Sequence, residues 1–189
     1  MRGPKHAAPR KITAALLNNV ALHYLERFAS SAANLRRVLM RRVQRAAEHH
    51  GSDPAEGAAL VEALILRFQQ SALIDDRRYA EAKAASLHRR GGSRRAISAR
   101  LAQRGVSGPL IAATLQALTD NAADTDLVAA CAFIRRRRLG AYRAAAGRPA
   151  NLEKDMAALA RAGFSFEVAR KVLACTDTAA VETLATEDG

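Results

Sequence analysis

Apolar residues recur along most of the chain at intervals of three and four positions, the spacing of one face of an α-helix. The pattern is clearest after Ser93, a residue type that caps helix N-termini, because Ile97 and Leu101 follow one turn apart. Gly105 then stands where a left-handed C-cap is expected, with an apolar residue directly after it. We therefore predict a helix that begins after Ser93 and ends at Gly105.

A second helix is predicted directly after this turn. Ser107 is positioned to cap it, and Pro109 fits its first turn, where the missing N–H group removes no hydrogen bond. Its apolar face has a period of 3.6 residues and consists of Leu110, Ile111, Thr114, Leu115 and Leu118. The middle of the chain therefore contains a pair of helices joined by a short turn.

This succession of caps and apolar residues returns near the C-terminus. Asn151 is predicted to begin the first helix of the second copy, and Ser165 is predicted to cap its second helix. The coinciding positions are Leu101 with Leu159, Ala102 with Ala160, Gly105 with Gly163, Ser107 with Ser165 and Leu115 with Leu173. Because cap residues and core residues are both in register, the chain contains an internal repeat.

Each helix pair is preceded by a further amphipathic segment, at residues 76–89 and 125–139. The first third of the chain has comparable segments and a longer loop around residues 51–54, and we interpret it as a diverged copy. Ser30 or Ser31 is expected to cap its second helix. No segment keeps the period-two alternation of a half-buried strand. The prediction is an all-α fold of three tandem three-helix repeats that form an elongated, curved helical array.

The boundaries of these repeats follow from the cap and loop positions. The N-terminal stretch is basic and contains two prolines, so we expect an arm without regular structure there. It lacks the cleavage site of a signal peptide. The predicted segments are a disordered basic arm at residues 1–11, the diverged first repeat at 12–74, the second repeat at 75–120, the third repeat at 121–176 and a tail at 177–189.

The charge balance predicts a polyanionic partner. Thirty Lys and Arg residues oppose eighteen Asp and Glu residues, for a formal net charge of +12 and an isoelectric point near 10.9. Only five of the basic residues are lysines. The planar guanidinium of arginine binds a phosphate or a carboxylate through two hydrogen bonds. The partner is therefore expected to be nucleic acid or a protein surface rich in Asp and Glu.

Several functional classes lack their sequence signals. Cys131 and Cys175 lie far apart and outside any Cys/His ligand spacing, so we expect reduced thiols, no metal and no cofactor. The chain has no phosphate-binding loop, no nucleophile elbow and no zinc-protease motif, and no catalytic residue is proposed. It also has no apolar run of membrane-spanning length. We expect a monomeric, cytoplasmic protein that is not an enzyme.

Two arginine clusters are the best candidate contact sites. The first surrounds a glycine turn, Arg89-Arg90-Gly91-Gly92-Ser93-Arg94-Arg95, at a predicted helix N-terminus that favours anions. The second is Arg135 to Arg138, whose last member falls on an apolar helix face and must lie past the packed region, extend to solvent or pair with a buried carboxylate. A solvated turn and an exposed helix end remain the alternatives. The full candidate set is Arg77, Arg78, Arg89, Arg90, Arg94, Arg95, Arg104, Arg135, Arg136 and Arg137.

Other polar and aromatic residues have simpler expected roles. Asp75 and Asp76 are expected to interact with the N-terminus of the helix that they begin. Tyr79 and Phe164 are expected to pack in the core or between repeats, because the aromatic residues are too sparse for a base-stacking platform. The role of Tyr142, which follows the second arginine cluster, stays open.

Three motifs together resemble a known family. The segment Leu73-Ile74-Asp75-Asp76-Arg77-Arg78-Tyr79-Ala80, the basic turn up to Ile97 and Arg104-Gly105-Val106-Ser107 are similar to the central signature of RecX proteins. Gly163-Phe164-Ser165-Phe166 resembles the Gly-Phe motif of the same family. The match is strong in the second repeat, good in the third and weak in the first. There, Asn34 stands where the family usually has an acidic residue, and the loop before Ala55 is long.

The resemblance implies a fold and a function. The implied fold is three tandem three-helix repeats. The implied function is to bind RecA–DNA filaments, in their helical groove, and to limit filament growth and RecA activities. The residues themselves leave another reading open, a basic helical module that acts by binding single- or double-stranded DNA directly.

Overall fold

The structure is a computed structural model that describes residues 9–120 and 125–187. These residues form ten α-helices and two short 3-10 turns. No β-strand occurs among them, which confirms the all-α prediction. The helices are α1 Ala14–Arg27, α2 Ala32–His50, α3 Pro54–Gln70, α4 Asp76–Arg89, α5 Arg94–Gln103, α6 Gly108–Asp120, α7 Thr125–Arg137, α8 Arg148–Arg161, α9 Phe166–Leu173 and α10 Thr178–Glu187, and the 3-10 turns are Gly140–Tyr142 and Ala145–Gly147.

The chain forms two compact units, Met1–Tyr79 and Ala80–Gly189. The division into three repeats therefore stays a prediction. Most of the predicted basic arm, and the first residues of the predicted third repeat, lie outside the described residues.

In the first unit, α1, α2 and α3 pack around one apolar core. Its largest fully buried side chains are Leu17, Leu35, Leu39, Val43, Val61 and Ile65. Of the two serines expected to cap α2, Ser31 does so, since its hydroxyl accepts a hydrogen bond from the N–H of Asn34 at 3.2 Å. The helix ends at Gly51, which has a left-handed conformation. Both ends of α2 thus follow from local sequence signals.

In the second unit, α7 lies at the centre of the largest apolar cluster. Leu127 and Ile134 of this helix are fully buried, and they pack with Leu159 of α8 and Val172 of α9. The segment beyond residue 176, predicted as a tail, contains α10, whose Val181 is buried in the same cluster. Helix α8 begins at Arg148, one turn before the predicted start at Asn151, with a proline in its first turn.

The internal repeat is visible in the geometry of two helix ends. After α5, the N–H of Val106 donates to the carbonyl of Leu101 at 3.2 Å; after α8, the N–H of Phe164 donates to the carbonyl of Leu159 at 3.2 Å. The intervening glycines both have a positive φ. Each end is therefore the same left-handed Schellman cap, with its apolar residue turned into the core, as the sequence predicted.

Candidate polyanion-binding surface

Gly91, inside the first predicted arginine cluster, packs against the helix that carries the second cluster. Gly91 has a φ of +79° and packs against the backbone of α7, so that a Cβ at this position would lie 2.5 Å from the nitrogen of Phe133 and 2.9 Å from the carbonyl oxygen of Ala129. The turn after α4 is thereby held against α7, one turn before its arginine run. Arg89 and Arg135 accordingly line the same cleft in the second unit.

Five exposed arginines flank this contact. They are Arg89, the last residue of α4, Arg90 after it, and Arg135, Arg136 and Arg137 in the last turn of α7, whose side chains point to different sides of that helix. The Arg137 guanidinium lies 5.8 Å from the ring centre of Phe133, a cation–π contact that orients it. We call these five residues the arginine surface. Cations at two helix C-termini also interact favourably with the helix dipoles.

Arg138, the last residue of the run, lies past the helix. Its φ is +55°, and the N–H of Leu139 after it donates to the carbonyl of Ile134 at 2.9 Å. Arg138 thus holds the left-handed position of a helix cap, with its side chain exposed. The first of its three alternatives, a position beyond the packed region, is confirmed.

Three hydrogen bonds to distant segments, together with one local helix cap, anchor the turn between α4 and α5. The ring Nε2 of His88 lies 2.7 Å from the carbonyl oxygen of Thr125, at the start of α7. The buried Ser93 hydroxyl donates to the carbonyl of Ala162 at 2.7 Å and also accepts from the N–H of Ala96 at 3.1 Å. A carboxylate oxygen of Asp126 accepts from the N–H of Arg94 at 2.8 Å. The turn is therefore a fixed part of the second unit, not a solvated reversal.

Arg94 and Arg95, which were predicted together, have different surroundings. The Arg94 guanidinium donates to the hydroxyl of Thr119, so this side chain is used within the protein. Arg95 is exposed, and its aliphatic part lies beside Gly163, where a Cβ would be 3.3 Å from the Cβ of Arg95. Of the two, Arg95 is the one available to a partner.

The remaining candidates lie at helix ends other than those that carry the arginine surface. Arg104 is exposed at the C-terminal end of α5, about 15 Å along the helix from Arg94. Arg77 and Arg78 are exposed in the first turn of α4, whose last residue is Arg89.

The two aspartates at the start of α4 have separate roles. Asp75 caps α4 as expected, because its Oδ1 accepts from the N–H groups of Arg77 and Arg78 at 2.9 and 3.0 Å. Asp76 does not act on its own helix alone: its Oδ1 accepts from the N–H of Ala32, the first residue of α2, at 2.8 Å. The expectation for Asp76 was thus incomplete, because its second partner, Ala32, is 44 residues away in the sequence.

One ion pair, between the half-buried Arg143 and the buried Asp155, was not predicted from the sequence. Asp155 of α8 is 2% exposed and receives two hydrogen bonds from the Arg143 guanidinium, at 2.6 and 2.8 Å, and one from the N–H of Gly140 at 2.9 Å. Arg143 holds the pKa of the Asp155 carboxyl below its ordinary value; burial opposes this shift, and the Gly140 N–H adds to it. The pair fixes the turn that follows the arginine run.

Phe164 has the packing role expected of it. Phe164 is buried, and its ring meets that of Phe133 edge to face, with centres 5.7 Å apart. Tyr79 is half-buried. Tyr142, whose role was open, is half-buried and lines the same cleft as Arg89 and Arg135.

Neither a metal site nor a membrane-spanning helix occurs in the part of the chain that the structure describes. Within ranges 9–120 and 125–187, no three His, Cys, Asp or Glu side chains converge in a way that could hold a metal ion. None of the helices in these ranges is long and apolar enough to cross a membrane. Cys131 and Cys175 are not joined by a disulfide; the first is buried and the second half-buried.

Comparisons with known proteins point to one family. The family model described as "RecX, second three-helix domain" matches residues 75–115. The chain is 43% identical, over 91% of its length, to the regulatory protein RecX of Myxococcus xanthus, and the match covers 90% of that protein. It is 34% identical, over 88% of its length, to the regulatory protein RecX of Agrobacterium fabrum, with 86% of that protein covered. No solved structure matches significantly.

The relatives are named as regulatory proteins, which confirms the prediction of a regulator and not an enzyme. The matched segment, residues 75–115, begins at the capping aspartate of α4 and includes the turn that packs on α7. Because the two longest matches extend over about nine-tenths of the chain, this protein belongs to the RecX family of regulatory proteins.

Proposed function

We propose that this protein binds RecA–DNA filaments and inhibits RecA recombinase activities in DNA repair and recombination. The observation that carries the proposal is its membership of the RecX family over nearly its whole length. The arginine surface supports it, because a nucleoprotein filament offers both carboxylates and phosphates, and arginine binds either group with two hydrogen bonds. A monomer acting in the cytoplasm is the simplest form of such a regulator.

The candidate contact residues can be ranked by their position and by the exposure of their side chains. Arg89, Arg90 and residues 135–137 come first, because the Gly91 contact brings them together and their side chains are exposed. Arg95 comes next. Arg77, Arg78 and Arg104 stay candidates outside the arginine surface, and Arg94 is assigned a structural role because of its bond to Thr119.

A second function is favoured by the net charge of +12, namely direct binding of single- or double-stranded DNA. The effect on RecA would then arise from competition for the DNA. A duplex-phosphate binder loses affinity with salt at a log–log slope of about −0.9 for each phosphate contact. A protein that binds the filament through RecA would lose affinity less steeply.

The test is the ATPase activity of RecA, stimulated by single-stranded DNA and titrated with this protein at two DNA concentrations. Inhibition well below one molecule per RecA, unchanged by additional DNA, supports filament binding. Inhibition that disappears with additional DNA supports the competing DNA binder. Absence of any effect at both concentrations contradicts both functions.

A further inference from the structure

The second unit contains a cleft of about 330 Å³ between the end of α4, the outer face of α7, the turn at Tyr142 and helix α10. It is open on one side. The floor of the cleft is apolar: Cys131 of α7 and Val181 of α10 are its buried residues, and the half-buried Val128 and Ala132 of α7 lie beside them. Such a floor favours an apolar side chain over a hydrated ion.

The rim of the cleft is charged, and its charge is positive on balance. Arg89 stands on one helix and Arg135 on another, and Glu182 is the acidic residue among those that line the cleft. Arg90 and Arg136, next to the rim arginines in the sequence, are exposed as well. Two members of the arginine surface, Arg89 and Arg135, therefore stand at the cleft.

Tyr142 forms a wall of the cleft between the charged groups. Burial raises the pKa of its phenol, Arg135 acts in the opposite direction, and Glu182 raises it further. The phenol thus lies within electrostatic reach of both rim charges. The turn that carries Tyr142 is held from behind by the buried Arg143–Asp155 pair, so the wall is preorganised.

From this arrangement we infer that the cleft is a docking site for an acidic segment of the partner protein, which inserts one apolar side chain between carboxylates bound by Arg89 and Arg135. The inference rests on the proposed function, because it names the part of the partner that the arginine surface holds. An apolar floor under a cationic rim matches the alternation of apolar and acidic side chains in a peptide. A phosphodiester backbone has no apolar side chain to insert, and this difference distinguishes the two anionic partners, since Glu182 repels phosphates and carboxylates alike.

The probe for this site is a fluorescein-labelled peptide, Asp-Glu-Asp-Phe-Asp-Glu-Asp, with a second peptide in which glycine replaces the phenylalanine. Fluorescence anisotropy with the full chain gives both affinities. We expect the phenylalanine peptide to bind at least about tenfold more tightly, since burial of an aromatic side chain adds to the same carboxylate contacts.

Two variants test the contributions of the floor and of the rim to peptide binding separately. Ala132→Leu fills the cleft and should abolish the preference for phenylalanine while the weak binding of both peptides persists. Arg89→Ala combined with Arg135→Ala should weaken both peptides about tenfold. Arg100→Ala removes an exposed arginine of α5 outside the cleft and should change neither affinity. Circular dichroism and thermal unfolding confirm that each variant is folded.

Equal binding of the two peptides to the wild-type protein, or an unchanged preference in Ala132→Leu, overturns the docking site. Displacement of the phenylalanine peptide by oligothymidylate, together with loss of oligothymidylate binding in Ala132→Leu, assigns the cleft to nucleic acid and overturns it too. Failure of the proposed function looks different. A wild-type protein that prefers the phenylalanine peptide but leaves the RecA ATPase unaffected contradicts filament regulation and not the docking site.

Discussion

Asp126, at the start of α7, caps a helix other than its own: its carboxylate accepts the N–H of Arg94, the first residue of α5, at 2.8 Å. The serine that caps α5, Ser93, is fully buried, and its hydroxyl accepts from the N–H of Ala96. A serine cap leaves the first N–H group of the helix without a partner, and a buried N–H group without a partner is costly. Asp126 supplies that partner.

The first unit contains the same arrangement. Ser31 is fully buried and caps α2 by accepting from Asn34, and Asp76 accepts the N–H of Ala32. In both cases the aspartate stands at the start of the helix that opens the next predicted repeat. This is a physical reason for two adjacent aspartates before α4: Asp75 caps that helix, and Asp76 completes the cap of α2.

The first prediction concerns this shared cap. Asp126→Ala should lower the free energy of unfolding by about 1 kcal/mol, because the first N–H group of α5 loses its acceptor in a partly buried position. Chemical denaturation checks it. Glu153→Ala removes the same charge from an exposed position of α8 and should have little effect. Equal destabilisation by the two variants would mean that net charge, not the cap, is responsible.

Local sequence signals were sufficient for most helix ends and for the repeat. Ser93 and Ser165 cap as predicted, and Gly105 and Gly163 have the predicted left-handed conformation, because each depends on a few adjacent residues. The helical segment inside the predicted tail was missed. Its apolar pattern is too short to indicate a packed helix, and its burial depends on the packing of Val181 against α7.

The candidate site was predicted as two separate clusters. Their union depends on Gly91, whose role as a turn former was evident but whose contact with Phe133 joins positions far apart in sequence. The roles of Arg94 and Asp155 were hidden for the same reason, because Thr119 and Arg143 become their partners only through tertiary packing. Sequence indicates which arginines exist, whereas packing decides which of them are available.

The second prediction concerns Asp155. Its pKa in the folded protein is below the ordinary value of 3.8, chiefly because of the Arg143 guanidinium. The ion pair therefore contributes its full stability above that ordinary value, and the contribution is lost as the pH falls through the lower, folded-state pKa. Asp155→Ala should cost about 2 kcal/mol at neutral pH, because this variant loses the buried carboxylate that accepts three hydrogen bonds, while the remaining Arg143 is partly exposed to water.

Unfolding measured between neutral pH and strongly acidic pH checks this prediction. The difference in stability between wild type and Asp155→Ala should shrink only at the acidic end. Arg143→Lys keeps the charge but loses the paired geometry, so it should have an intermediate effect. A difference that is constant at every pH would exclude the carboxylate charge as its source.

The third prediction tests the union of the arginine clusters. Gly91→Ala should cost about 3 kcal/mol, since the added Cβ meets the α7 backbone in addition to the strain of a positive φ. Gly51→Ala is the matched control, because Gly51 also has a positive φ, of +65°, but has no atom within 4 Å of the added Cβ. It should cost about 1 kcal/mol.

At a temperature where both glycine variants are folded, inhibition of the RecA ATPase should be weakened in Gly91→Ala and unchanged in Gly51→Ala. The physical reason is that the Gly91 turn can no longer lie against α7, so the two arginine clusters move apart. Full inhibition by a folded Gly91→Ala protein would show that the clusters need not be adjacent.

The fourth prediction separates two neighbouring arginines. Arg94→Ala should lower stability, because its guanidinium bonds Thr119, and should leave RecA inhibition unchanged once the protein is folded. Arg95→Ala should leave stability within about 0.5 kcal/mol of wild type, as exposed substitutions do. It should raise the concentration needed for half-inhibition. A loss of stability in Arg95→Ala, together with weaker RecA inhibition by Arg94→Ala, would contradict the geometry of this turn.

The fifth prediction addresses the arginine surface directly. Arg90→Glu combined with Arg136→Glu should raise the concentration for half-inhibition of RecA at least about tenfold, because charge reversal opposes the same contacts that it removes. The control, Arg41→Glu combined with Arg45→Glu, changes the net charge equally on exposed positions of α2. Inhibition measured in parallel at low and high salt distinguishes a local contact from general attraction. If both pairs weaken inhibition equally and salt abolishes the difference from wild type, long-range charge governs the association and the arginine surface has no special part in it.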